Sequence, residues 1–249
     1  MKKIYLGLLV ALISFCTSCE FSETIYINED GSGKMSMYLD ASELMPMMKS
    51  QIPADQAKPI DSLISFKEAL AGQQKYVSQL PKRDQELIKS LEKLNVHMVM
   101  DADKDKLNAD VYMNFSSIND VQNTFDAMSS LAKLAQNKMA FGQMSSLSEI
   151  NSDDILTTEY SLKNNKFRRF IRIVDTKLMD SLRNNLGQAQ MLLASSTYKL
   201  NYKFPKKVKS VSLEDAVIGK DGKSVTVTVN ALDFVNDPEI LNVEVELEK

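Results

Sequence analysis

Apolar and polar residues alternate in short paired runs, separated by longer stretches with helical spacing. The first pair is "SETIYINEDGSGKMSMYLD". Ile25 and Ile27 alternate with polar neighbours, Asp30-Gly31 supplies a turn, and Met35, Met37 and Leu39 share one face of the return strand. Asp-Gly between alternating runs predicts a hairpin, because glycine accepts the positive φ of such turns. The second pair, "NVHMVMDADKDKLNADVYMNF", sets Val96, Met98 and Met100 against Leu107, Ala109, Val111, Met113 and Phe115, with charged residues in the turn. The third, "ILTTEYSLKNNKFRRFIRIVD", turns at Asn164-Asn165.

Helical spacing fills the gaps. Residues 41–94 read as a helical insertion broken at Pro53, Pro59 and Pro81, with Ile60, Leu63, Ile64, Lys67, Leu70 and Ala71 on one stripe and Leu87, Ile88, Leu91 and Leu94 on another. A helix over 119–139 carries Ile118, Val121, Phe125, Met128, Ala132 and Ala135, and residues 140–154 read as a loop. A short helix over 176–187 aligns Leu178, Leu182 and Leu186. After it the chain reads as strand to its end, with Val225, Val227 and Val229 inward, another turn at Asp221-Gly222, and Leu241, Val243, Val245 and Leu247 alternating with Asn242, Glu244 and Glu246. The pattern predicts an α+β fold: an antiparallel sheet of repeated hairpin-helix units, helices packed on one face, the other face wet, and a strand-rich C-terminus. Residues 19–249 read as one domain, without residue-level repeats between the units.

The N-terminus changes the picture. Lys2 and Lys3 precede the apolar run "IYLGLLVALISF", then Cys16, Thr17, Ser18 and Cys19. A basic start, a short apolar run and small residues describe a secretory leader, and the run falls short of the ~20 residues a membrane span needs. Thr17-Ser18-Cys19 resembles the end of a bacterial lipobox, with Cys16 where leucine is usual. The resemblance implies cleavage before Cys19, lipidation of its sulfur, usually palmitate or a similar acyl group on the new N-terminus, and a lasting membrane anchor. Two chains hold a protein stably where one does not. Glu20, not Asp, follows the cysteine, which by the common sorting rule of such lipoproteins favours the outer membrane; the side faced by the body stays open. Both cysteines of the chain lie here, so a lipidated Cys19 leaves the mature chain no free thiol and no disulfide framework.

Two further segments carry a second resemblance. "NEDGSGK" follows directly on the cysteine region, and "YKFPKKVKSVS...VIGKDGKSVTVTV" lies near the end. Together they resemble envelope lipoproteins of the LppM-domain type, with Phe204, Pro205 and Val208 matching, Lys206 in place of the usual glycine, and Val227 near where an aromatic often sits. That resemblance implies a β-rich envelope module, possibly lipid-associated, and carries over no catalytic residue.

Charge and composition narrow the classes. Loss of Lys2 and Lys3 with the leader takes the formal net charge from −3 to −5. A mildly acidic chain without a basic cluster argues against nucleic acid. "DADKD" opens like a calcium loop, but the loop's sixth and twelfth positions hold Lys106 and Tyr112 instead of glycine and glutamate, so a solvated turn is the better reading. His97, the sole histidine, falls on the polar face of its strand, where nothing supplies a triad. The 14 methionines form core faces, with one cluster apart: Met45, Met47 and Met48 beside Pro46, candidates for a hydrophobic site or membrane contact, with soft Cu(I) ligation the metal alternative. Arg168, Arg169 and Arg172 in "KFRRFIRI" read as a solvated basic face, and Arg168 and Arg172 as candidates for an anionic lipid or glycan, with Lys203, Lys206, Lys207 and Lys209 adding to a basic patch if the two segments are neighbours. P-loop, Rossmann, G-x-S-x-G and HExxH motifs are missing, and so is tryptophan.

The reading is a non-enzymatic envelope lipoprotein with no cofactor and no metal, tethered through Cys19 and acting as a structural or interaction module with an envelope protein or lipid partner. The alternative is a binding or carrier protein for a lipid or other apolar ligand.

Overall fold

The computed structural model describes residues 19–49, 58–72, 74–125, 127, 155–187 and 189–249. The leader, the distal half of the 119–139 helix with Met128, Ala132 and Ala135, and the loop over 140–154 lie outside the described residues. Twelve strands are described, in two sheets: β1 (Glu20–Ile27), β2 (Gly33–Asp40), β3 (Ile60–Ser65), β4 (Leu94–Asp101), β5 (Lys106–Phe115), β6 (Leu156–Lys163), β7 (Lys166–Ile173), β8 (Thr197–Lys203), β9 (Val208–Val211), β10 (Val217–Ile218), β11 (Ser224–Asn230) and β12 (Val243–Leu247). The larger sheet runs β10-β11-β8-β1-β2-β5-β4-β3 and the smaller β6-β7-β12-β9. All pairings are antiparallel except that of β1 with β8, which joins the two ends of the chain in parallel.

The three expected hairpins form with the expected turns. Gly31 takes φ +82° while the Asp30 carboxylate accepts from the Ser32 N–H and hydroxyl. Asn164 and Asn165 sit at φ 54° and 59°, the two left-handed positions of a type I′ turn. The hairpins are not equivalent units, however. The first two are neighbours in the large sheet, and the third begins the small one.

Helices are short: α1 (Met45–Lys49), α2 (Phe66–Ala71), α3 (Gln74–Val77), α4 (Lys82–Leu91), α5 over 118–125, α6 (Thr176–Asn184), α7 (Ala189–Ser195) and α8 (Ala231–Asn236). Three details differ from the sequence pattern. Ile60, Leu63 and Ile64 are not on a helix but on β3, paired with β4 from Ile60↔Met100 to Ser65↔Asn95. In α6 the buried residue is Met179, while Leu178 is 44% exposed. The C-terminal quarter is not wholly strand, since α8 and a 3₁₀ turn (Pro238–Leu241) separate β11 from β12.

The core lies between the sheets. Ile25, Ile27, Met35, Leu200, Tyr202, Val225 and Val227 from the large sheet meet Tyr160, Phe167, Val243, Val245 and Leu247 from the small one. The Phe167 ring lies 5.0 Å from Tyr202 and 5.4 Å from Phe204, edge to face in both cases. The inner face is therefore covered by a second sheet over its β11-β8-β1 half. Helical residues Leu70, Ile88, Leu91, Ile118 and Val121 join the same core.

Candidate functional site

Cys19 sits where the ends of several elements converge. Glu20 opens β1 opposite Asp40, the last residue of β2, and beside Thr197, the first of β8. The Thr197 N–H donates to the Cys19 carbonyl at 3.0 Å. The Cys19 side chain is 2% exposed. Burial pushes its thiol pKa up, the Ser196 hydroxyl partly offsets this, and Asp40 and Glu43 push it further up. Such a thiol holds little thiolate at neutral pH and is a weak nucleophile.

The methionine cluster splits. Met45 is fully buried, whereas Met47 and Met48 on the same short helix are 69% and 39% exposed. The three side chains thus do not share one buried surrounding.

Arg168 and Arg172 lie on the outer face of the small sheet. Glu244 accepts from Arg168 Nε at 2.5 Å and also pairs with Lys166, while Arg172 pairs with Glu159. Lys209 does lie in the same sheet, on β9, but β12 with Glu244 and Glu246 runs between β9 and β7, and Glu246 takes Lys209 at 2.7 Å. The basic segments thus alternate with acidic ones instead of merging into a patch. In the β4–β5 turn, Asp101 accepts from the N–H groups of Asp103 and Lys104, and Lys104 Nζ lies on its other oxygen at 2.7 Å. A lysine ammonium therefore stands where a calcium loop would place its cation. His97 is exposed and meets Asp61 across β3–β4 at 2.7 Å.

Arg169 departs from the solvated face assigned to its segment. It is 2% exposed, on the inner face of β7 with Phe167 and Ile171, and its Nε donates to Glu23 of β1 at 3.0 Å. Glu23, 1% exposed, also accepts the Tyr202 hydroxyl at 2.6 Å, and Arg169 Nη1 reaches the Leu241 carbonyl at 3.1 Å. Burial works against the Arg169 charge, but Glu23 beside it more than compensates and holds it firmly protonated. Burial, then Glu23, pushes the Tyr160 and Tyr202 hydroxyls well up, and the same causes push Tyr198 up to about 12. This is an ion pair between the sheets, ringed by tyrosines, in which both Glu23 oxygens and the Arg169 Nε and Nη1 atoms are hydrogen-bonded. Strand parity alone places Glu23 with Ile25 and Arg169 with Phe167, so each residue's inward position was readable; their meeting was not.

The rest of the inner face is less covered. Ile60, Ile64 and Met98 are 37%, 43% and 36% exposed, and Met37, Leu39 and Val111 in neighbouring rows are half-buried. They form an apolar strip across β3-β4-β5-β2. Separately, α2, α3 and α4 frame an open pocket of about 490 Å3 with Leu70, Val77, Gln85 and Ile88 in its lining; the Gln85 amide is spent on the Ser78 and Leu80 carbonyls. Among the described residues no group of three or more His, Cys, Asp or Glu side chains is placed to hold a metal ion, and no helix is long and apolar enough to cross a membrane.

No protein-family model and no curated protein matches the sequence. Among solved structures, the chain is weakly similar to the folded domain of the LppM protein of Mycobacterium tuberculosis, determined by NMR, at 9% identity and a TM-score of 0.40, over 92% of this chain and 91% of that one. A likeness at that level decides neither fold nor function.

Proposed function

We propose that this chain is a lipid-anchored envelope protein, attached through Cys19, whose two-sheet body is a non-enzymatic interaction module. The observation that carries the reading is the place where the body starts. β1 begins at Glu20, so the first residue kept after lipobox cleavage is the one next to the first strand. Cleavage there removes nothing that β1 uses. The Cys19 side chain is buried in the folded body, so this reading requires the thioether to form before the edge closes and the lipid-bearing side chain to turn outward. As the terminal residue it is free to do so. Support for a non-enzymatic body comes from its shifted carboxylates: Asp30, Asp101, Asp120, Asp221, Glu244 and Glu246 are all lowered, by turn hydrogen bonds or lysine partners, as in structural networks. The test is the intact mass of the mature protein taken from membranes, with Cys19→Ala as control. Cleavage before residue 19 plus acyl chains, lost in the control, is expected; an unmodified mass overturns the tether.

The half-open strip with Ile60, Ile64 and Met98 favours a second reading, carriage of a lipid or other apolar ligand. Solvent extraction of the body beginning at Glu20 should then release lipid in stoichiometric amount. A clean extract rejects it.

A further inference from the structure

The end of the molecule that holds Cys19 also holds exposed methionines. β1 starts there, β2 ends there at Asp40, and α1 follows within five residues, with Met47 69% and Met48 39% exposed. β8 also starts there, and α7 leads directly into it, with Met191 75% exposed. Four helical steps of ~1.5 Å and two further residues put Met191 within ~13 Å of that edge. Exposed thioethers therefore lie on two separate elements, one following the end of β2 and one leading into the start of β8, the two strands that neighbour β1.

We infer that this edge seats on the bilayer, with Met47, Met48 and Met191 entering the interface around the anchor. This rests on the Cys19 tether. The tether has no leash: the Cys19 carbonyl is already hydrogen-bonded to Thr197, and Glu20 is already in the sheet. A diacylglycerol on this sulfur brings the surrounding edge into contact with the lipid headgroups. Flexible apolar methionines suit a fluid, irregular partner. The charges nearby are acidic or paired: Asp40 and Glu43 carry no lysine partner among the described residues, Lys49 lies 3.9 Å from Asp103, and Lys199 Nζ lies 2.8 Å from Glu20. The insertion is carried by the methionines, and with no net positive charge here it does not call for anionic lipid.

The chain has no tryptophan, so a single introduced one reports its own surroundings without background. Full-length Met47→Trp, Met191→Trp and Ile218→Trp proteins are purified from membranes and reconstituted into phosphatidylcholine vesicles with brominated acyl chains. Ile218 is the control: it pairs with Val225, which pairs with Tyr202 beside Ile25, five residues along β1 from Glu20. All three positions are exposed, and an unchanged urea midpoint checks that folding is intact. The two methionine positions should lose about half their emission or more, as expected of side chains entering ~5–10 Å into the headgroup boundary, while Ile218→Trp keeps its own. An acylated protein with no quenching, or with equal quenching at all three sites, overturns the seat and leaves the tether standing. If the mass shows no acyl chain, the tether falls. Selective quenching of the unacylated chain on added vesicles then still supports the seat, and its absence overturns both.

Discussion

Gly33 shows how little room a single position leaves. It opens β2, pairs with Ile27 and Phe115, and a Cβ placed on it meets the Tyr26 carbonyl at 1.9 Å and the Phe115 ring at 2.4 Å. Its φ is ordinary, so the need is for space and not for a left-handed backbone. Gly33→Ala should cost about 1–3 kcal/mol, the usual range for overpacking, read as a fall in urea midpoint at unchanged slope. An unaltered midpoint would mean that β2 shifts freely at this point. Gly31, by contrast, announces its role in the sequence: Asp-Gly between alternating runs calls for a positive φ, and Gly31 has it. The demand on Gly33 comes from an aromatic ring 82 positions further along the chain, which no local pattern contains.

Between elements, the Glu23–Arg169 pair is the most specific contact, joining β1 of one sheet to β7 of the other. Removing one member strands a charge at 1–2% exposure. Glu23→Leu or Arg169→Met alone should therefore destabilise by about 3–5 kcal/mol. The double variant should recover much of that loss, because no unpaired charge is left inside. Additive losses in a double-mutant cycle would show that the two act independently. Tyr202→Phe, which removes the 2.6 Å bond to Glu23, should cost about 1.5–3 kcal/mol, the value of a hydrogen bond to a charged group. The apolar positions of β3 misread as helix illustrate the same scale. Ile60, Leu63, Ile64 recur at three and four, which suits a helix, but the run is six residues long and β4 offers a free edge, so pairing decides.

Over the whole molecule, the titrating groups set a stability window. Tyr160, Tyr198 and Tyr202 are raised in the folded state, Tyr198 to about 12, against about 10 when unfolded. Above pH ~10 the unfolded chain gives up these protons while the folded chain keeps them, so stability falls as pH rises through that range. At the acid end the lowered carboxylates act in the opposite sense. Glu244, held down by Lys166 and Arg168, and Asp221, held down by the Lys223 N–H and the Ser224 hydroxyl, stabilise above pH ~4, and that contribution is lost as pH falls. Urea midpoints should form a plateau from about pH 5 to 9 and drop on both sides. Tyrosinate absorbance in the intact protein should show a late-titrating group that merges with the rest on unfolding; a single step near the ordinary value would contradict the buried ring of hydroxyls.

Local pattern was enough for the hairpins, their turns and the inward parity of β1, β2, β4, β5, β11 and β12, since alternation and turn chemistry act over a few residues. It read Glu20 to Ser22 as a short leash between Cys19 and the hairpin, whereas β1 already begins at Glu20. Strand order was beyond it. The parallel pairing of β1 with β8, the division into two sheets and the meeting of Glu23 with Arg169 bring together residues more than a hundred positions apart. Those contacts are chosen by which faces bury together in the folded chain. The same assembly set Arg168 and Arg172 beside glutamates, and it left methionines from two distant segments exposed, because only packing decides which surfaces remain uncovered.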